Sequence, residues 1–348
     1  MNDRMFAEND VYRQATAISE VGIVVYPDAQ LSAIHGWTDL FTLAAWTVAQ
    51  HGTGRNAIRV THWRASADGG GVACVYDSMP GPPHSPSIIL MPSCLGHPPG
   101  PDVVTGFAEW LKTRHAEGAT IASVCLGAFL LAEAGLLAGR RATTHWRFGH
   151  VMASRFPDVE IDVDRLIVDD GDIITAGGLL AWVDLGLLIV ARLLGPAIAV
   201  ETSRYLLFDA TGREQRHYSA FLPSREHGDE RILLVQHWLD TTYRDPATIE
   251  AMASRAGMTE RTFLRRFQKA TGMTPRAYHQ RIRIDHAREM LEFSNAAVKS
   301  VAWDVGYADL TAFSRVFRRI TGLPPAEYRR RFTSRGFPAQ ERPQLASD

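Results

Sequence analysis

Gly257-Met-Thr259-Glu-Arg-Thr-Phe263-Leu-Arg-Arg-Phe267-Gln-Lys-Ala-Thr271-Gly272-Met-Thr-Pro275-Arg-Ala-Tyr278 is answered about fifty residues later by Gly306-Tyr-Ala-Asp309-Leu-Thr-Ala-Phe313-Ser-Arg-Val-Phe317-Arg-Arg-Ile-Thr321-Gly322-Leu-Pro-Pro325-Ala-Glu-Tyr328. Gly, Phe, Phe, Thr-Gly, Pro and Tyr recur in the same order, so one structural unit is written twice. Each copy reads as a helix-turn-helix. A short apolar helix ends at Gly257 or Gly306, where glycine accepts a turn conformation other residues resist. A second helix follows, with Thr259 or Asp309 as its N-cap. Its two Phe residues are four apart and share the inward face. The Thr-Gly-x-x-Pro stops it.

The outward face of the first copy then offers Arg261, Thr262, Leu264, Arg265 and Lys269; the second offers Leu310, Thr311, Ser314, Arg315 and Arg318. Arg forks suit guanine edges, and Lys or Arg suit phosphates. One Arg-rich helix face is often only a solvated face; two spaced copies with matching turns favour double-stranded DNA as a partner. Charge agrees. Asp229 to Arg335 holds 19 Lys and Arg against 12 Asp and Glu, a net of +7; the whole chain is −1, so the remainder carries −8. A basic module on an acidic body is a nucleic-acid footprint that whole-chain charge hides.

This stretch resembles the AraC-type DNA-binding domain, with two helix-turn-helix units joined by a long helix. Ala277 to Phe293, with Arg281, Ile282, Ile284, Ala287 and Leu291, fits the connecting helix. The resemblance implies that the two reading helices enter successive major grooves, about 34 Å apart, which requires a stiff connector.

At 348 residues the chain should form about two domains, at roughly 150 residues each. It has no apolar run of the ~20 residues a membrane helix needs. The N-terminus, with Asp3, Arg4, Glu8 and Asp10, lacks a signal peptide's apolar core. Cys74, Cys94 and Cys125 are scattered, make no metal spacing and suit a reducing cytoplasm. No cofactor or metal is expected.

Ahead of the repeat, apolar runs at 21–26, 58–65, 72–77, 87–91 and 120–124 read as strands. A hairpin is expected over 163–176 with Asp170-Gly171 as its turn. Helical patterns are expected over 36–50, 101–117, 126–137 and 178–194, and a strand-like segment over 141–146. Strand alternating with helix means a parallel sheet covered on both sides. The expected organisation is a flavodoxin-like α/β domain over 19–208, a polar linker over 209–228, an all-α domain over 229–333 and a loose tail over 334–348.

Val124-Cys125-Leu126-Gly127-Ala128 is a strand–turn–helix junction. A nucleophile elbow has that layout, with the side chain held at a helix N-terminus that lowers a thiol's pKa. With Arg140-Arg-Ala-Thr-Thr-His145-Trp146, the segment resembles the ThiJ/PfpI branch of the class I glutamine amidotransferase-like fold. Proteins that append an AraC-type domain to it are GlxA-type regulators.

Enzymes of that branch supply an acid from the loop after the first strand. The matching position here is Ala33, with Asp28 and His35 off register, and the usual Gly-Gly oxyanion turn is Ser93-Cys94. His145 is the one candidate base. Cys125, Leu126, His145, Trp146, Ser93 and Cys94 are therefore expected to line a ligand pocket rather than to catalyse. The competing reading is a hydrolase or hydratase acting through Cys125, with DNA binding secondary; a redox role lacks a flanking resolving thiol. A third reading makes the first domain only a dimerisation scaffold. The resemblance implies a cytoplasmic homodimer, a small-molecule effector of amino-acid or quaternary-amine type, frequent activator behaviour and RNA polymerase as a possible partner.

Overall fold

The computed structural model describes residues 17–50, 56–66, 71–209 and 212–333. Residues 1–16, 51–55, 67–70 and 210–211 and the tail expected at 334–348 lie outside them. The chain divides into two compact units, 1–215 and 216–348.

The first unit is built on a seven-stranded sheet of order β3-β2-β1-β4-β5-β9-β8. Its strands are β1 (Ala17–Val24), β2 (Asn56–Ala65), β3 (Val72–Asp77), β4 (Pro86–Met91), β5 (Thr120–Val124), β8 (Ile167–Asp169) and β9 (Ile173–Ala176). Two short strands, β6 (Arg141–Ala142) and β7 (Glu160–Ile161), pair beside it. The five central strands are parallel, with Val21 against Val60 and Ile88, Leu90 against Ala122, and Val124 against Ala176. Both edges are antiparallel, so the sheet is mixed rather than wholly parallel. Val21, Ile23, Ile89, Leu90, Ile121 and Val124 are all fully buried, because helices cover both faces.

The helices are α1 (Leu31–Gln50), α2 (Pro101–Thr105), α3 (Ala108–Ala116), α4 (Gly127–Glu133), α5 (Gly149–Arg155), α6 (Ala181–Leu194) and α7 (Pro196–Tyr205). Four expectations needed correction. Helix α1 starts at Leu31, not at Gly36, which lies inside it because the Trp182 indole packs there; a Cβ would come within 2.4 Å of that ring. The helix expected over 101–117 is two, broken where Phe107 turns into the core and Gly106 lets Ala65 approach. Helix α4 stops at Glu133, short of Leu137, ahead of the left-handed Gly135 (φ 77°). Residues 141–146 hold only two strand residues. The hairpin turn stands as expected at Gly171 (φ 88°), with its first strand beginning at Ile167.

The second unit is all helical: α8 (Glu230–Thr241), α9 (Ile249–Arg255), α10 (Glu260–Thr271), α11 (Pro275–Phe293), α12 (Val298–Asp304), α13 (Leu310–Thr321) and α14 (Pro325–Phe332). Helices α9–α10 and α12–α13 are the two helix-turn-helix units. Gly257 (φ 63°) and Gly306 (φ 84°) make the turns; Gly272 (φ 70°) and Gly322 (φ 81°) end the second helices. Thr259 caps α10 through the Thr262 N–H, and Asp309 caps α13 through the N–H groups of Thr311 and Ala312.

The repeat extends to side chains. Phe263, Phe267 and Tyr278 form one buried aromatic ladder, Phe313, Phe317 and Tyr328 the other, with the last ring pair of each 5.3 Å apart and nearly perpendicular. Thr271 and Thr321 each donate to the carbonyl four residues back and accept the N–H two residues on. At about 1.5 Å per residue, the 19-residue helix α11 between the units is about 28 Å long.

Candidate functional sites

On α10 the residues facing away from the Phe ladder are exposed: Arg261, Leu264, Arg265 and Lys269. Thr262 is half-buried, and its hydroxyl accepts from the Thr259 hydroxyl at 3.0 Å. On α13, Leu310, Thr311, Arg315 and Arg318 are exposed and Ser314 is half-buried. All ten residues expected on the reading faces lie on these two helices, each with an apolar back and a cationic front.

Neighbouring arginines do other work. Arg266 grips Asp229, the N-cap of α8, at 2.8 and 2.7 Å. Arg283, on α11, donates to the carbonyls of Tyr243 (2.6 Å), Arg244 (3.0 Å), Asp245 (3.0 Å) and Gly306 (3.1 Å). It ties the end of α8 and the turn of the second helix-turn-helix to one rod. Arg288, one and a half turns on, donates to Tyr328 Oη (2.8 Å) and to the carbonyls of His217 and Ser219. The sequence showed these cations but not that backbone carbonyls would claim them.

In the first unit, strands β1, β4, β5 and β9 run parallel, so their carboxyl ends lie along one edge of the sheet, where α/β folds bind ligands. Cys125 follows β5 with φ 54°, a strained value for a residue with a Cβ. This is the expected elbow. Burial pushes the Cys125 thiol up and outweighs the opposing pull of Ser93 and of the Leu126 and Gly178 N–H groups. The lowering that a helix N-terminus exerts on a thiol is opposed here, because Cys125 is 3 % exposed and desolvation exceeds that pull.

Ser93 donates to the Cys94 carbonyl (2.9 Å) and accepts the Leu126 N–H (3.3 Å). Ser93, Cys94, Cys125 and Leu126 are thus brought together. His145 and Trp146 follow Thr144, whose hydroxyl donates to the Cys125 carbonyl at 2.8 Å. Their rings lie 5.5 Å apart, and Phe148 flanks His145 at 6.1 Å. Burial, then the nearby Arg147 cation, keeps the His145 pKa low, and its Nδ1 accepts the Arg147 N–H.

Ala33 is fully buried in the first turn of α1. Asp28 is exposed, and His35 faces His62 at 6.3 Å. Among the described residues no carboxylate or imidazole hydrogen-bonds the Cys125 thiol. One polar residue at this edge escaped the sequence reading. Gln30 is 3 % exposed, its backbone N–H bonds the Ser93 carbonyl (2.7 Å), and its Oε1 has no partner among the described residues. A polar residue between apolar Ala29 and Leu31 was the available signal.

The same unit holds an open cavity of about 750 Å³ between α6, α7 and the chain leaving α7, lined by Asp184, Leu188, Val200, Phe208 and Arg213. Asp184 and Arg213 pair across it at 2.8 Å.

Two helix-turn-helix units on one connector, beside an α/β unit with a cysteine elbow, define a DNA-binding regulator with an amidotransferase-like domain. Comparison with known proteins agrees. The DJ-1/PfpI family profile matches residues 88–192 and a helix-turn-helix domain profile matches 252–331. The chain is 29 % identical over 228 residues to the HTH-type transcriptional regulator CdhR of Pseudomonas aeruginosa, covering 65 % of this chain and 68 % of that protein. It is 30 % identical over 221 residues to the regulator GlxA of Rhizobium meliloti, 62 % of this chain and 66 % of that one. The regulator ArgR of P. aeruginosa is 29 % identical over 221 residues, 63 % and 67 % of the two chains. The chain belongs to the GlxA-type, AraC-family transcriptional regulators. No described helix is long and apolar enough to cross a membrane.

Proposed function

We propose that the chain is a cytoplasmic transcriptional activator that binds its operator as a homodimer and answers to a small amino-acid or quaternary-amine metabolite bound at the Cys125 elbow. The observation that carries this reading is the Cys125 elbow at the carboxyl edge of the sheet. Cys125 has a strained backbone beside Ser93 and Leu126, the rings of His145 and Trp146 follow Thr144, and the position that the resemblance matches to the acid is Ala33. N–H and hydroxyl donors suit a carboxylate, and aromatic faces suit an alkylated ammonium. An activator of this design would pass its signal to RNA polymerase.

Electrophoretic mobility shift at stated salt, comparing the chain's own upstream DNA with random duplex, tests the DNA-binding half. A thermal-shift screen of amino acids and quaternary amines tests the other half. Iodoacetamide labelling of Cys125 at pH 7 should be slower than that of a free thiol, and Cys125→Ala should keep metabolite-dependent transcription. A thiol pKa near 6, with a turnover lost in Cys125→Ala, would restore the hydrolase reading.

A second reading places the metabolite in the α6–α7 cavity, favoured by its 750 Å³ volume. Val200→Trp, which fills that cavity, should leave the thermal shift intact if the elbow is the site.

A further inference from the structure

We propose that Gln215 passes occupancy of the elbow site to the second helix-turn-helix, acting as a positioning residue at the point where one unit ends and the other begins. The inference rests on the reading that the effector binds at Cys125.

Gln215 is the last residue of the first unit and is 2 % exposed. Its Nε2 lies 2.9 Å from Thr143 Oγ1, 2.8 Å from the Thr144 carbonyl and 3.0 Å from the Arg165 carbonyl; its Oε1 accepts the Trp146 N–H at 3.0 Å. The space it occupies exists because residue 177, just beyond β9, is glycine: a Cβ there would come within 1.9 Å of the Gln215 amide. Thr144, which Gln215 holds by its carbonyl, is held in turn to the Cys125 carbonyl through its hydroxyl. Gln215 therefore sits two hydrogen bonds from the elbow and directly on the backbone of Trp146. A ligand that shifts either one must shift Gln215 or be resisted by it.

The next residues are anchored equally well, within the second unit. Arg288 holds the carbonyls of His217 and Ser219. Arg331 reaches Tyr218 Oη at 3.1 Å, and Asp285 accepts the Phe221 N–H at 3.1 Å. Gly322, which ends α13, lacks the Cβ that would meet Arg216 and His217 at 2.6–2.8 Å. A buried anchor in one unit is thus followed, without a spare residue, by buried anchors in the other. The stretch expected from sequence to link the two parts is fastened where the signal has to cross.

Coupling between two sites is reciprocal, so the test can start from the DNA side without knowing the metabolite. The probe is iodoacetamide labelling of Cys125, quantified by peptide mass spectrometry in the full-length protein. It is measured with and without a duplex enriched from a random pool by that same protein. DNA should change the wild-type Cys125 rate by about fivefold or more. Gln215→Ala should reduce that change to less than twofold. Because Gln215→Ala also loosens its own unit, a second variant inserts Gly-Gly-Ser between Gln215 and Arg216. That variant leaves the side-chain partners of Gln215 in place and adds slack inside the single 3-10 turn of Gln215–His217, so it should lose less melting temperature than Gln215→Ala and still lose the DNA response. A wild-type rate indifferent to DNA, or an insertion variant that responds as wild type does, overturns the proposal. The effector reading fails separately: it falls if metabolites that raise the melting temperature leave Cys125 labelling unchanged.

Discussion

Replacing the turn glycine of each helix-turn-helix by alanine, one at a time, should produce very unequal losses. Gly257 and Gly306 occupy the same place in the repeat, and both hold left-handed backbone, φ 63° and 84°. That conformation costs an L-residue about 1–2 kcal/mol, so strain alone predicts similar damage. The surroundings differ. A Cβ on Gly257 would meet only the end of the Arg231 side chain, at an ordinary 3.6 Å. On Gly306 it would lie 2.2 Å from the Arg244 carbonyl oxygen and 2.9 Å from the Arg283 guanidinium. That carbonyl is backbone held by Arg283, so it cannot step aside cheaply, and overpacking a fixed neighbour costs about 1–3 kcal/mol. Gly257→Ala should therefore lose about 1–2 kcal/mol and Gly306→Ala about 3 or more. Amide hydrogen exchange of the full-length protein reads each unit separately, through peptides covering 249–271 and 298–321. With about 1.4 kcal/mol per tenfold, exchange should accelerate roughly tenfold in the first and a hundredfold or more in the second. Equal acceleration, or greater loss in Gly257→Ala, would refute the clamp by Arg283.

The reading faces and the supports behind them should separate cleanly. Arg261→Ala, Arg265→Ala and Arg315→Ala should each cost about 1–3 kcal/mol of discrimination between operator and mismatched duplex, measured by titration at fixed salt. Arg266→Ala should lower the melting temperature through loss of the Asp229 contact and leave discrimination intact; the reverse pattern would reassign the faces. The first unit should carry an acid-side signature at Asp184, whose carboxyl burial pushes up from the ordinary 3.8 to about 6 while Arg213 pulls the other way. A carboxyl raised in the folded state stabilises fully below about pH 4, and that contribution is lost as pH rises through about 6. Wild type should lose melting temperature across that window relative to Asp184→Asn, and a relative gain would sink the assignment.

The two helix-turn-helix units were legible because their determinants are local. A turn glycine, a capping side chain and a Phe pair at helical spacing each act within a few residues, and the repeat supplied the control. The Cys125 elbow was legible for the same reason. What stayed hidden was long-range. Nothing near Gly36 announces that the Trp182 ring covers it, so α1 was expected to begin five residues late. Nothing near Cys125 sets the balance between helix-terminal donors and burial, and burial won. Arg283, Arg288 and Gln215 looked like surface or linker residues because their partners lie 23 to 72 residues away.

The two reading heads, matched in sequence, are not matched in what holds them. The first is braced by Arg266 on Asp229 at the start of α8. The second is braced by Arg283 over the Gly306 carbonyl, and by Arg288 and Arg331, which also hold residues 217–219. Those residues follow directly on the last residue of the sensing unit. A force entering at residue 216 therefore meets Gly322 and α14, elements of the second copy, before it meets anything on the first reading helix. The residues that come next turn to the first copy, where the Phe221 ring packs against Tyr278 and the Ser224 carbonyl accepts from Gln236, so the incoming chain is fastened to both copies in turn, the second one first.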